Sequence, residues 1–469
     1  MSTDAFTLTI DGKAVAGENT FPVVNPALGT AFAEAPDCTQ GQLDDAMSSS
    51  ASAFLSWRKD EGKRRSTLRA CGDALMARHE EIAQVLTREQ GKPIGKAREE
   101  VLGAGFWFQQ AAELPLATEV LADDDEQRIE LHRKPIGVVG AITPWNFPVI
   151  LACWKIAPAL LAGNTLVLKP SPFTPLSSLK MGEVLRDVLP PGVMNVVSGG
   201  DDLGKWVSEH PTVRKISFTG SVPTGKKILA CAAPDLKRVT LELGGNDPAI
   251  VLGDVDPKAI AEKLFWGAFN NSGQICIAVK RVYAEEKVYQ PIVDELANLA
   301  RGVKLGDGLE EGTELGPINN QPQFMRVNEL IDSARSDGAN FVVGGDPVEG
   351  PGYFVAPTIV TGLEDGTRLV DEEQFGPVLP IIPVRNAEDA LERANRTHFG
   401  LGGSVWSADT ERAAELAGEL QCGTGWVNQH GGLSPAAPFG GWKWSGMGHE
   451  NGPWGLAAFT ELQVISISK

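Results

Sequence analysis

Cysteine is scarce: six residues in 469, at positions 38, 71, 153, 231, 276 and 422, with no CxxC pair among them. Thiols so scattered exclude a disulfide framework in a chain of this size and argue against a zinc site, so no metal is expected. Each cysteine therefore starts as a buried, inert thiol unless its surroundings say otherwise. Positive charge is also in deficit. Against 60 Asp and Glu stand 42 Lys and Arg, a net charge of −18, which repels a phosphate backbone and makes nucleic acid an unsuitable partner. The opening residues MSTDAFTLTIDGK lack a basic stretch followed by an apolar one, and no apolar run reaches membrane-spanning length. A cytoplasmic protein with no membrane partner is expected. Internal repeats and low-complexity tracts are missing too.

What is present is an ordinary globular composition, 42% hydrophobic, with 52 Gly and 31 Pro that imply many short turns. The length exceeds what one hydrophobic core supports, which predicts two large domains and a small appendage. From Lys63 to Gln90 the apolar residues Leu68, Cys71, Leu75, Ile82, Val85 and Leu86 recur at helical spacing, and Gly91 with Pro93 supplies a stop. One long amphipathic helix is expected there. Between Pro135 and Gly253, apolar strands (Val138–Thr143, Thr165–Lys169, Val193–Val197, Lys215–Thr219, Val239–Leu243) alternate with helices (Val149–Ala162, Pro175–Val188, Leu203–His210, Thr224–Ala233). That alternation predicts a parallel sheet covered on both faces, with its ligand at the carboxyl ends of the strands. A second alternating region follows, with helices near Pro257–Asn270, Tyr289–Arg301, Gln323–Asp337, Ala387–Asn395 and Thr410–Leu420. The terminal Glu461–Lys469 and the segment Arg128–Leu131 read as short strands needing a partner, hence an oligomerisation arm.

Cys276 alone has unusual surroundings. It ends the small, polar run Asn270-Asn-Ser-Gly-Gln-Ile-Cys276 directly after a predicted helix, which suggests a tight loop exposing sulfur. Glu242, in Leu241-Glu-Leu-Gly-Gly245, is either a solvated strand end or a placed base, with glycines permitting close backbone approach. Asn146, between Pro144-Trp145 and Phe147-Pro148, is either a helix N-cap or a donor to a developing oxyanion. Lys169 at a strand end is a surface lysine or a nucleotide ligand. The turn Phe218-Thr-Gly220-Ser221 opens a helix whose free N–H groups favour a phosphate, although it is not the G-x-G-x-x-G fingerprint.

Taken together, seven ordered blocks make the chain closely resemble the aldehyde dehydrogenase superfamily from about residue 5 to its end. They are Pro144-Trp-Asn-Phe-Pro148, Lys169-Pro-Ser171, Phe218-Thr-Gly-Ser221, Leu241-Glu-Leu-Gly-Gly245, Gly273-Gln-Ile-Cys276, Glu372-Glu-Gln-Phe-Gly-Pro-Val378 and Pro438-Phe-Gly-Gly-Trp-Lys-Trp-Ser-Gly446. The resemblance implies an α/β fold: a Rossmann-type doubly wound cofactor domain (residues 1–116 and 136–244), a second α/β catalytic domain (245–445), and oligomerisation or bridging segments (117–135 and 446–469). It implies oxidation of an aldehyde to an acid through a thioester on Cys276, with hydride passing to NAD or NADP. Asn146 and the Cys276 backbone N–H match the oxyanion hole, Glu242 the general base, and Glu450 a second carboxylate near the water path.

For the cofactor, the resemblance points to Ile142, Thr143, Pro144, Trp145, Lys169, Ser171, Pro172, Gly200, Gly204, Phe218, Gly220, Ser221, Gly244, Glu373 and Phe375. Lys169 matches a ribose ligand, Ser221 a pyrophosphate ligand, Glu373 a nicotinamide-ribose ligand, and Phe375 a wall against the nicotinamide. Phe147, Trp154, Asn270 and Phe439 match positions around the aldehyde. Three departures matter. Pro172 stands where many NAD-preferring members carry Glu, so NAD is the first choice with NADP open. Asn270 replaces an aromatic, giving a more polar mouth, and His449 replaces an Arg beside Glu450. The segments Phe106–Gln110 and Trp426–Pro438 hold no cation to anchor a carboxylate, which favours an uncharged aliphatic or aromatic aldehyde over a semialdehyde acid. A coenzyme A-acylating relative often lacks the Glu242 carboxylate, so its presence favours hydrolysis. A non-catalytic NAD-binding or structural protein is disfavoured by intact Cys276, Glu242 and Asn146. A homodimer or homotetramer is implied.

Overall fold

The computed structural model describes residues 5–469. Its first sheet has eight strands in the spatial order Gly446–Met447, Arg238–Glu242, Val213–Thr219, Val138–Ile142, Thr165–Lys169, Met194–Val196, Leu8–Ile10 and Lys13–Val15. The five central strands are parallel and the added edges antiparallel. Strands Val138–Ile142 and Thr165–Lys169 are buried along their whole length, which is why they read as continuous apolar runs. The chain winds one way from Val138–Ile142, then returns to lay Val213–Thr219 on its other side. The switch point between these two strands opens a crevice at their carboxyl ends, beside Pro144 and Gly220.

The second sheet has seven strands, ordered Asn340–Val343, Thr358–Thr361, Val378–Val384, Val279–Glu285, Asp247–Val251, Gly402–Trp406 and Thr424–Val427. All are parallel except the first pair. Its strand Val279–Glu285 begins three residues after Cys276, so the Cys276 loop hangs from the entry edge of this sheet and faces the crevice of the other. A third sheet places Gln127–Pro135 between Thr460–Ser468 and Glu119–Asp123. No described helix is long and apolar enough to cross a membrane.

One expectation is corrected. The stretch Lys63–Gln90 is two helices, Glu61–Ala77 and His79–Gln90, separated at Arg78 (φ −109°, ψ 22°). Arg78 pairs with Glu81 and Glu183, and the apolar stripe continues in phase across the break, so periodicity does not register it. Residues 446–447, at the start of the expected bridging segment, pair with Leu241 and Glu242 and close the edge of the first sheet.

Candidate active site

The loop that carries Cys276 is built under strain. After the helix Pro257–Phe269, the residues Asn271 (φ 52°), Ser272 (φ 55°) and Gly273 (φ 70°) are consecutively left-handed. For a residue with a β-carbon this costs roughly 1–2 kcal/mol. Side chains hold the loop there: Ser272 donates to the Gly316 carbonyl (2.7 Å), Gln274 donates to the Asn271 carbonyl (2.8 Å), and the Asn319 N–H donates to Gln274 (2.8 Å). Lys280 donates to the Ile275 carbonyl (2.5 Å). Glycine is needed at 273 for space as well as for φ, since a β-carbon there would lie 2.3 Å from the Gly376 carbonyl oxygen. Gly273→Ala should therefore lower unfolding free energy by about 1–3 kcal/mol in a denaturant titration; an unchanged midpoint would contradict the packing described.

Cys276 is half-buried as a residue. Desolvation of its thiol by the surrounding protein, with Glu373 and Asp247 adding, pushes it up to about 12, so it is protonated at neutral pH. A thiol held in this state would need a base before it could act as a nucleophile. Glu242, the last residue of its strand, is 3% exposed and neither carboxylate oxygen has a hydrogen-bond partner. Burial raises its pKa well above the ordinary 4.5, the neighbouring Glu450 raises it further, and Lys155 pulls it down.

Glu450 is itself buried. Its Oε1 accepts from Lys155 (2.5 Å) and Ser217 (3.3 Å), while Oε2 has no partner. Lys155 also donates to Thr219 (2.7 Å). Lys155 was missed in the sequence, yet it carried a signal: a lone lysine inside the otherwise apolar Pro148–Ala162, where burial demands a partner.

Asn146 is not a helix cap; that position falls to Phe147, which makes no side-chain capping bond. Instead its Nδ2 donates to the Gln274 carbonyl (2.9 Å), which leaves one N–H of the amide available. Its own carbonyl receives Lys92 (2.9 Å) and Asn271 (3.3 Å).

Two cavities meet at this point. One, of 260 Å³, is walled by Trp107, Phe147, Trp154, Trp266, Leu433 and Phe439, with Glu242, Asn270 and Glu450 also lining it. Its aromatic rings interlock: Trp107 stacks on Trp154 at 5.7 Å, and Phe439 meets Trp154 edge-on at 5.4 Å. No Lys or Arg lines it. His430 does, but burial pushes that imidazole down to about 4, so it is neutral. The other cavity, of 710 Å³, lies at the switch point and is lined by Pro144, Trp145, Gly220, Ser221, Gly244, Glu373 and Phe375. Cys276, Asn146, Thr219 and Leu151 belong to both walls. Cys276 is the one cysteine in either.

The remaining expected cofactor residues fall into two groups. Ile142, Thr143 and Phe218 are buried in and just beyond the strand ends behind the larger cavity, with the Phe218 ring under Gly220. Lys169, Ser171, Pro172, Gly200 and Gly204 lie outside its wall. Gly200 precedes the helix Asp201–Glu209, and a β-carbon on Gly204 would lie 4.0 Å from the Lys169 Cε. Burial pushes the Lys169 ammonium down to about 8, partly offset by Asp201 and Asp37. Ser221 caps the helix Val222–Ala232 by accepting from the Thr224 N–H (3.4 Å), at the end where free N–H groups favour an anion. Glu373 accepts from the Gly245 N–H (3.1 Å), an approach that only glycine at 244 allows, since a β-carbon there would lie 2.1 Å from Glu373 Oε2. Phe375 (φ 49°) stands edge-on to Trp145 at 5.1 Å. Arg326, paired with Glu372 (3.0 Å), Gln323, His398 and Trp444 line the same cavity and were not anticipated.

Comparison with known proteins agrees with this geometry. The profile of the aldehyde dehydrogenase family matches residues 14–465. A probable aldehyde dehydrogenase of Pseudomonas sp is 40% identical, with 100% of this chain and 96% of the relative aligned. Retinaldehyde dehydrogenase 3 of Homo sapiens is 38% identical over 95% of this chain and 89% of its own length. Among solved structures, the NAD+ complex of a Bacillus cereus aldehyde dehydrogenase superposes with a TM-score of 0.97 at 35% identity, covering 99% of this chain and 97% of that one. A doubly wound sheet, a strained cysteine loop facing its switch point and a match over nearly the whole sequence lead to one conclusion: the chain belongs to the aldehyde dehydrogenase family.

Proposed function

We propose that Cys276 is the nucleophile with which this NAD(P)-dependent enzyme oxidises an aldehyde to a carboxylic acid, and that Glu242 and Asn146 serve it. The observation that supports this best is the meeting of two cavities at one thiol, with Asn146 in both walls and Glu242 in the smaller one. Glu242 takes the thiol proton and sulfur adds to the aldehyde carbon. The oxygen then carries negative charge, which the free N–H of Asn146 and the backbone N–H of Cys276 receive. Bound in the larger cavity, a nicotinamide cofactor supplies the hydride acceptor. With hydride lost, the acyl group remains on sulfur as a thioester. Glu242, once it has released the thiol proton to solvent, deprotonates the water that adds to the thioester; the C–S bond breaks, the freed sulfur takes the proton back from Glu242, and the neighbouring Glu450, held by Lys155, raises the basicity of Glu242.

The residues that suit the cofactor are Trp145, Ser221, Glu373 and Phe375 in the wall, with Lys169, Ser171, Gly200 and Gly204 toward the adenosine end. The cavity's position at the switch point and the glycine cradle at Gly220 and Gly244 fit a dinucleotide. In this reading residues 1–116 and 136–244 form the cofactor domain and 245–445 the catalytic domain that carries Cys276, with Glu373 and Phe375 reaching the cofactor from the second and Asn146 and Glu242 reaching the thiol from the first. NAD is the preferred cofactor, as in the Bacillus cereus complex, with NADP the alternative that Pro172 leaves open. An aromatic wall without a cation suits an uncharged aliphatic or aromatic aldehyde. The strand Thr460–Ser468 exposes Leu462, Val464 and Ile467 on an outer edge, which supports pairing of two or four copies through that sheet.

A panel of uncharged aldehydes against NAD and NADP tests the reading, together with Asn146→Ala. That variant should lose about 100- to 1000-fold in kcat while melting near the wild-type temperature. Unchanged kcat would remove Asn146 from the mechanism.

A further inference from the structure

Behind Asn146 lies a buried ion pair that the reaction as described does not use. Lys92 and Glu100 meet at 2.5 Å with both side chains 1% exposed. The Lys92 ammonium also donates to the Asn146 carbonyl (2.9 Å) and stands over the Phe147 ring at 3.7 Å from its centre. Glu100 accepts the backbone N–H groups of Val149 (3.0 Å) and Ile150 (3.3 Å), the free donors at the start of the helix Pro148–Ala162. The Asn146 carbonyl and two free N–H groups of the helix that follows are thus tied to one pair. Packing alone does not support this turn, because a cavity of 190 Å³, lined by Lys92, Glu100, Phe147, Ile150 and Asn271, opens beside it. Asn271, in the nucleophile loop, shares the Asn146 carbonyl with Lys92, so the pair also fixes that loop against the oxyanion donor.

We infer that Lys92 and Glu100 are positioning residues that hold the Asn146 amide and the Cys276 loop in register. Neither lines the cavity that takes the aldehyde or the one that takes the cofactor, so they act through Asn146 rather than on substrate. A displaced donor of this kind costs rate without costing affinity, and an ångström of misplacement is worth up to about 100-fold. A lone buried charge would endanger the fold, whereas removing both charges together is tolerated better. Lys92→Met/Glu100→Gln does so and keeps an acceptor for the Val149 and Ile150 N–H groups.

This inference rests on Asn146 being the oxyanion donor, and a double-mutant cycle separates the two claims. Single-turnover hydride transfer is measured for wild type, Lys92→Met, Asn146→Ala and the combined variant, and also for Lys92→Met/Glu100→Gln. Melting temperature and NAD affinity by tryptophan fluorescence are followed alongside. Lys92→Met should slow hydride transfer about 10- to 100-fold with aldehyde KM and NAD affinity nearly unchanged. In the Asn146→Ala background it should add less than about 2-fold, since partners acting through one group are not additive. Lys92→Met/Glu100→Gln should melt like wild type and stay slow. The inference is overturned if Lys92→Met keeps its full effect without Asn146, if it has none, or if Lys92→Met/Glu100→Gln regains both stability and rate. Full activity of Asn146→Ala alone would instead overturn the assignment of the oxyanion donor.

Discussion

Replacing Cys276 by alanine should abolish aldehyde-dependent reduction of the nicotinamide, a loss on the order of 10⁴-fold or more, because the covalent route disappears with the sulfur. The protein should still fold. Cys276 is a half-buried residue at a cavity wall, and the loop's left-handed residues are held by Ser272, Gln274 and Asn319 rather than by the thiol. Cofactor affinity, read by fluorescence, should persist, since the larger cavity is walled mainly by other residues. Cys231→Ala and Cys422→Ala provide the contrast. Those thiols line neither cavity, so both variants should turn over like wild type. Residual turnover within tenfold of wild type in Cys276→Ala would mean that another group carries the acyl chain.

Glu242→Gln should reduce kcat by about 10²- to 10⁴-fold and change the pH profile in a particular direction. Burial and the Glu450 charge raise the Glu242 pKa, so its carboxyl stays protonated over a range where an ordinary glutamate is ionised. The base exists only above that raised value. Wild-type kcat/KM should accordingly rise with pH through it, and the glutamine variant should lack that limb. The stability consequence has the opposite sign. In the unfolded chain Glu242 ionises near the ordinary 4.5, while the folded protein resists that charge, so rising pH favours the unfolded state until the raised pKa is passed. Glutamine has no such cost. Glu242→Gln should therefore be more stable than wild type near neutral pH and gain nothing near pH 4, as urea titrations at the two pH values would show. Equal differences at both would place Glu242 in an ordinary, solvated environment.

How much of this was legible depends on whether the physics was local. Thr165–Lys169 and Ala387–Asn395 match the expected bounds residue for residue, the one an unbroken buried strand and the other capped by Asn386 on the Asp389 N–H. The Cys276 loop was readable because left-handed backbone calls for small and polar residues, and Asn271-Ser272-Gly273 supplies them. Arg78 was not, because a helix break held by distant ion pairs leaves the apolar stripe in phase. The edge strands Leu8–Ile10 and Lys13–Val15 were missed for a related reason: three residues carry no period, and their place is set by pairing with Val196 across the fold. Lys155 and the Lys92–Glu100 pair form the third class. Lys92 and Glu100 are ordinary charged residues in sequence, Lys155 stands out only by its apolar helix, and in each case only long-range contact identifies the buried partner.

The central claim is that the acyl group passes through the Cys276 sulfur. Enzyme, cofactor and aldehyde mixed at equal concentrations and acid-quenched within milliseconds allow reduced nicotinamide to be counted while the peptides are weighed. The account predicts one reduced nicotinamide per site before steady state and an added acyl mass on the peptide bearing Cys276, absent without aldehyde. A full turnover of hydride with that peptide unmodified, or with the acyl mass on another cysteine, would contradict it.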